Sequence, residues 1–359
     1  MSATAPRGAG TAESTGAVVR GYITYASARH SQADTLERVI ASVRAQVSAR
    51  QAAGEFTGPG PIFVGIGNSF AAACAPVWAL RGRGIHSWRL ASGDYPVPFP
   101  DSAHPIIGIS QSGRSPETLA VLAGAAGRPR YAVVNNDPSP MTAVLQDVVG
   151  LGNIADSYAS TIGFTATVAA LGLIADAWDG GAVDPAWDEL PAHFRALERR
   201  LDEQLPEMAA ALVGAGYADF VGAGPSLGSA ECGALLLREV ARVPATPMST
   251  RQYLHGAMES AGGGVHVLLG DERELDLADT LAGAGHPVIL VTGAQRVPDR
   301  PGVGVVRLPR VPVAPRAILE ALVMQALAGE AADRRGITIE EFVFHNSDTK
   351  VAPEAGTPA

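Results

Sequence analysis

Aromatic side chains are scarce in this sequence, at 6% of residues, and charged ones make up only 18%. Few aromatics beside abundant alanine and glycine disfavour an all-β sandwich and favour helices packed closely on sheets. No basic stripe stands out and the net charge is −9, which argues against nucleic acid as the main partner. The two cysteines, Cys74 and Cys232, fall in separate segments. They form neither a metal-ligand spacing nor a disulfide framework, and they fit a reducing, cytoplasmic setting. No 18-residue apolar run is evident, so no membrane span is expected. The opening "MSATAPRGAGTAESTGAVV" has one arginine and no apolar h-region. It reads as a disordered tail, not a signal peptide.

Apolar residues reach 47% of 359 positions, enough to bury cores for two ordinary domains. Strands are expected at 61–67, 86–91, 105–110, 130–136 and 148–152, with helices at 69–81, 116–126, 139–147 and 160–178. The second half repeats the alternation, with strands at 218–224, 265–270, 287–293 and 302–308 and helices at 226–241, 271–284 and 314–334. A charged, helix-periodic stretch connects the halves. β-branched strands alternating with helices predict βαβ units and parallel sheets.

The halves also match by residue. At a shift of 157 positions, "FVGIGNSFAAACAPVWALR" (63–81) meets "FVGAGPSLGSAECGALLLR" (220–238), with eight identities in 19 positions and no gap. A duplicated fold explains this better than chance likeness between two strand-turn-helix units. Each half has a Gly-x-Gly turn, but Phe70 and Leu227 replace the third glycine that a dinucleotide fingerprint requires. NAD binding is therefore weakly supported, and no cofactor is expected.

The stretch "GISQSGRSPET" (108–118) carries more chemistry. Ser115 is placed as an N-cap with Pro116 at the first helical position. Hydroxyls of Ser110, Ser112 and Ser115, with the Gln111 side chain, can converge on the free N–H groups of that helix start and hold a phosphate with neutral donors. The bland alternative is a capped helix with spare hydroxyls. It is not a P-loop, because it lacks Gly-Lys-Ser/Thr, and not a nucleophile elbow, because Ser112 stands where a glycine is needed. A second turn, "SYASTIGF" (157–164), together with Gly67, Asn68 and Ser69, could close a polar pocket at the carboxyl ends of the first sheet.

"GIGNS", "SQSGRSPET", "ASTIGFT" and "GALLLREV…YLHG" together resemble the sugar isomerase (SIS) family over roughly residues 25–351. The arrangement is similar to the isomerase part of glucosamine-6-phosphate synthase and to stand-alone aminosugar-phosphate deaminases and deglycases. The resemblance implies an α/β chain of two tandem SIS domains, each a flavodoxin-like parallel five-stranded sheet in three αβα layers. The expected organisation is a disordered tail at 1–20, a phosphosugar-binding domain at 21–182 and a helical connector at 183–214. A second SIS domain at 215–345 and a tail at 346–359, a possible lid, complete it.

The resemblance also implies roles. Ser110, Gln111, Ser112 and Ser115 would bind phosphate, with Gly67, Asn68 and Ser69 nearby and Ser160 contacting the sugar. Glu239 would be the acid/base, His255 would aid ring opening across the interface of a homodimer, and Lys350 would close over the ligand. Glu259 could face an amine-bearing substrate. The chain departs from the pattern at Ile162 and Leu236, where lysines are usual, and at Ala257, where proline is. With no glutaminase domain or N-terminal cysteine nucleophile in this sequence, it is not expected to use glutamine. The implied activity is aldose–ketose isomerisation or aminosugar-6-phosphate deamination. A fructosamine-6-phosphate deglycase and a non-catalytic sugar-phosphate sensor are the alternatives.

Overall fold

The computed structural model describes residues 22–95, 101–344, 346 and 348–351. The expected disordered start at 1–20 and the end of the expected tail, 352–359, lie outside them. The first half opens with helices α1 (Tyr25–His30) and α2 (Gln32–Ala52). There follow β1 (Ile62–Gly65), α3 (Asn68–Ala72), α4 (Cys74–Gly82), β2 (Trp88–Ala91), β3 (Ile106–Ser110), α5 (Pro116–Gly124), β4 (Arg130–Val134), α6 (Pro140–Val144) and β5 (Val148–Gly150). Helices α7 (Ile162–Ala177) and α8 (Ala186–Gly214) lead to the second half. It comprises β6 (Tyr217–Gly222), α9 (Ser226–Val240), β7 (Ala245–Ser249), α10 (Thr250–Leu254), β8 (Gly264–Leu269), α11 (Arg273–Gly283), β9 (Val288–Thr292), β10 (Val303–Arg307) and α12 (Val313–Arg334).

Both sheets are five-stranded and all parallel, ordered β2-β1-β3-β4-β5 and β7-β6-β8-β9-β10. Each half therefore reverses strand order between its first and third strands, which places a crevice at that switch point. Alternate residues of one strand serve opposite faces. Ile62 and Val64 pack with Val121, Leu122 and Met141, whereas Phe63 joins the large core that also takes in Phe220, Val267 and Ile289 of the second half. Helices thus cover both faces of each sheet, and one core is common to the two halves.

The repeat seen in the sequence is a packing symmetry. A Cβ built on Gly67 would lie 3.9 Å from Leu235, and one on Gly224 would lie 3.7 Å from Trp78. Positions 67 and 224, and 78 and 235, differ by the same shift of 157 that aligns the halves. Each half's turn leans on the other's helix. On the same relation, Gly228 meets its own counterpart, with a Cβ there 2.5 Å from the Ala71 carbonyl oxygen.

Several expectations need correction. The helix expected at 69–81 is two helices broken at Ala73, because Pro76 cannot donate to Ala72 four residues back. Strand β7 was not expected; Pro247 hides it, and its place at the sheet edge is where proline is tolerated. Helices α1 and α2 were also not anticipated. Contrary to the expectation of no long apolar run, Ile162–Gly180 is long and apolar enough to cross a membrane, but 89% of it is buried inside the protein. It is the central helix of the first half.

Gly228→Ala should cost about 1–3 kcal/mol, since its methyl group meets backbone that cannot turn away. Gly82→Ala, with open space around it, should change stability by less than about 1 kcal/mol. Thermal melting of the two variants side by side checks the crossing.

Candidate functional site

Strand β3 ends at Ser110 and the chain turns through Gln111–Ser115 into α5. Gly113 sits at φ +63°, and a Cβ there would strike the Ser139 hydroxyl at 2.2 Å, so the turn requires glycine. Ser115 takes the N-cap position in extended conformation, as expected, but its side chain makes no capping hydrogen bond. Its Oγ instead lies 3.1 Å from Ser110 Oγ. Both residues are buried, so two hydroxyls face each other inside the loop while the helix start keeps its free N–H groups. The Ser112 hydroxyl accepts from the Arg114 N–H at 3.3 Å and remains free to donate.

Gln111 joins this loop to α7. Its backbone carbonyl accepts from the N–H groups of Asn135 and Asn136 at 3.0 and 2.9 Å. Its side chain rests on Gly163, where any Cβ would collide with it. Ser160 Oγ lies 3.2 Å from Gln111 Oε1 and 2.8 Å from Asp156 Oδ2. One hydroxyl proton serves the shorter contact better, so the amide is lightly held, and Gln111 Nε2 is buried without a partner. Orphaned buried donors are rare and call for an explanation.

Asp156 organises this end of the site, and the sequence reading missed it. Oδ1 accepts from the N–H groups of Ser157 and Thr161 and from the Thr161 hydroxyl, at 2.8, 3.1 and 2.9 Å. Oδ2 accepts from Ser160 Oγ and from the Gly163 N–H at 3.0 Å. Thr161, the N-cap of α7, makes no side-chain cap, so the Asp156 carboxylate satisfies the helix start instead. An acid a few residues ahead of an apolar helix was the available signal.

Gly67–Ser69 lies at the end of β1, the neighbour of β3, and so flanks the serine loop across the switch point. Gly67 has φ +58°, and Asn68 Oδ1 is buried without a partner. The turn after β8, the second-half counterpart of the serine loop after β3, is filled by the chain's own ions. There Asp271 accepts from the Thr292 hydroxyl, the Gly293 N–H and the Arg316 guanidinium. Burial opposes its ionisation, but the Arg316 hydrogen bonds hold its pKa down at about 2. Ser226, the counterpart of Ser69, donates to Glu320 at 2.7 Å, and Glu320 also binds Arg316.

Glu239 lies in the last turn of α9, half-buried, with no hydrogen bond or ion pair among the described residues. Burial pushes its carboxyl pKa up to about 7. Leu236 and Ile162, where the resemblance expects lysines, are fully buried apolar side chains. Tyr25 is within electrostatic reach of both Asp156 and Glu239, and its hydroxyl donates to the Gln325 carbonyl, whose own amide donates to the Thr161 carbonyl. The start of α1 is thus tied to the start of α7 through Gln325.

The chain beyond α12 runs across this side. Glu340 accepts from the Tyr25 N–H, the Glu341 carbonyl accepts from Arg242, and Phe342 packs on Tyr158 with ring centres 4.3 Å apart. Val351 then exchanges two hydrogen bonds with Arg114, which sets Lys350 at the serine loop. Lys350 keeps an exposed surface, yet crowding by protein and then the Arg114 charge hold its pKa below the ordinary lysine value, against the pull of Glu117. His255, the C-cap of α10, and Glu259 are exposed. No contact among the described residues joins either to Glu239 or to the serine loop. A cavity of about 510 Å³ lies between α1, α8 and α12 and touches none of the expected site residues.

Between the ordinary carboxyl range and about pH 7, native Glu239 keeps a proton that the unfolded chain has lost, so stability should fall as pH rises through that window. The drop attributable to Glu239 should be on the order of 2 kcal/mol, partial exposure tempering it. Glu239→Gln should flatten this slope and be the more stable protein at pH 8. Urea unfolding across pH 5–8 measures both.

No family model matches this sequence, and no curated protein matches it. Solved structures do. The C-terminal domain of glucosamine-fructose-6-phosphate aminotransferase from Francisella tularensis superposes with a TM-score of 0.75 at 18% identity, covering 88% of this chain and 97% of that one. Tagatose-6-phosphate ketose/aldose isomerase from Escherichia coli gives 0.74 at 18% identity over 90% and 97%. Glucosamine-6-phosphate deaminase from Thermotoga maritima gives 0.68 at 17% identity over 91% and 99%. The chain has the double-SIS fold of these proteins, with two five-stranded parallel sheets flanked by helices.

Proposed function

We propose that this chain is a phosphosugar isomerase or aminosugar-6-phosphate deaminase. The serine loop would anchor the phosphate and Glu239 would carry the proton. The observation that carries the reading is the contrast between two equivalent turns. In the second half, the chain's own Asp271 fills the turn. In the first, the buried Ser110 and Ser115 hydroxyls have only each other as partners among the described residues, and the Gln111 amide nitrogen, buried against α7, has none. Three structurally similar proteins are named for sugar 6-phosphates, which supports the same substrate class.

A carboxyl with pKa about 7 suits a group that must take a proton and give it back near neutrality. In the open-chain aldose, Glu239 removes the C2 proton while the C1 oxygen gains one, leaving an enediol. The proton then returns to C1 and the C2 hydroxyl gives up its proton, yielding the ketose. If C2 bears an amine, the same transfer gives an imine at C2; water adds there and ammonia leaves. The phosphate, held at the far end of the sugar, keeps C2 beside the base. His255, exposed and without an ion pair among the described residues, would serve the ring-opening step from a second copy in a homodimer. The sensor reading draws on the buried Ile162 and Leu236, which leave the site without two of the family's cations.

Glu239→Gln should bind glucose 6-phosphate and glucosamine 6-phosphate with unchanged affinity while turnover falls at least about 10³-fold, losses of 10²–10⁴ being typical for removing a general base. Ser112→Ala with Ser115→Ala should weaken binding instead. Calorimetry, with ammonia and ketose assays on a panel of sugar 6-phosphates, measures both. Binding without turnover in the unmodified protein would favour the sensor. Binding unaffected by the serine pair would remove the anchor assignment.

A further inference from the structure

Arg114 stands inside the serine loop, between Gly113 and Ser115. Its carbonyl accepts from the Val351 N–H at 2.9 Å and its Nε donates to the Val351 carbonyl at 2.7 Å. This reciprocal pair sets Lys350, the only lysine in the chain, against the loop. With Nε committed, the two terminal nitrogens of the guanidinium have no partner among the described residues, and neither Arg114 nor Lys350 is in an ion pair with a carboxylate there.

The facing groups do not resolve this. Glu117, in the first turn of α5, attracts Lys350 without bridging it. Asp156 is already spent on five donors. Tyr22 and Tyr158, with ring centres 5.1 Å apart, wall the same region. One main-chain and one side-chain bond to Val351 thus set two cations at the same loop, in a chain of net charge −9, where their mutual repulsion favours an anion between them. A phosphate monoester carries about −1.5 to −2 charge at neutral pH, which two cations match. A guanidinium fixed through Nε presents the two-pronged donor suited to it.

We propose that Arg114 determines specificity by binding the phosphate dianion of the substrate, and that phosphate shared between Arg114 and Lys350 holds the C-terminal segment over the site. This rests on the sugar-phosphate reading above. In this arrangement the serine hydroxyls orient the phosphate oxygens and Arg114 selects for their charge. Neutral sugars and singly charged sugar acids would leave the cation pair uncompensated.

The single lysine gives the test, because a lysine-specific endoprotease has one site in this chain. Full-length protein, Arg114→Gln and Arg114→Lys are cut with and without inorganic phosphate or glucose 6-phosphate, and release of residues 351–359 is followed by mass spectrometry. Affinities are measured by calorimetry, and thermal melting confirms that each variant is folded. Both ligands should slow cleavage of the unmodified protein at least about tenfold. Arg114→Gln should bind both at least about tenfold more weakly and lose most of the protection, while Arg114→Lys should keep part of each. Unchanged affinity or unchanged protection in Arg114→Gln overturns the proposal. If those stay unchanged while the Ser112→Ala, Ser115→Ala protein no longer binds, Arg114 alone is misassigned. If the unmodified protein binds neither ligand, the sugar-phosphate reading fails and takes this inference with it.

Discussion

The Asp156 carboxylate is the constraint on which the first-half site depends. It replaces the missing side-chain cap of α7 and holds Ser160, which lies between it and the Gln111 amide. A carboxylate at a helix start is favoured by the peptide dipoles, and here it also ties the most buried helix of the half to the turn after β3. The site is therefore referenced to the core, not to a surface loop. That fixes the hydroxyls and N–H groups of the turn relative to one another.

Duplication explains why the two halves could diverge. Both keep the same strand order and the same turn-on-helix contact, yet their equivalent turns have opposite chemistry. The first leaves the buried Ser110 and Ser115 hydroxyls with only each other as partners among the described residues. The second supplies its own anion, Asp271, which accepts from Thr292, Gly293 and the chain's own cation, Arg316. A two-pronged ion pair of this kind, backed by the Thr292 hydroxyl and the Gly293 N–H, holds a turn in one geometry. The second half then contributes what a rigid scaffold can offer: Glu239 at the end of α9, in surroundings dry enough to raise its pKa.

Much of this was legible in the sequence because parallel strands are buried on both faces and read as unbroken apolar runs. "IFVG" and "VILVT" stood out for that reason. Strand β7 did not, because its Pro247 belongs to an edge. Helices α1 and α2 carry too mixed a pattern to declare a buried face. The serine loop was recognisable from its residue types, although Ser115 turned its hydroxyl inward instead of capping. Asp156 offered only the weak signal of an acid a few residues ahead of an apolar helix, and its five contacts, all within residues 157–163, depend on how the chain folds back there. The placement of Lys350 beside Arg114 likewise needs the whole path of the chain beyond α12.

The contact of Gly228 with the Ala71 backbone has a consequence for how this fold can move. With the two strand-turn-helix units interlocked at their crossing and a common core beneath them, the halves cannot hinge apart without tearing open apolar surface. A two-domain enzyme often admits its substrate by opening between domains. Here the shared core and the Gly228–Ala71 crossing take that freedom away.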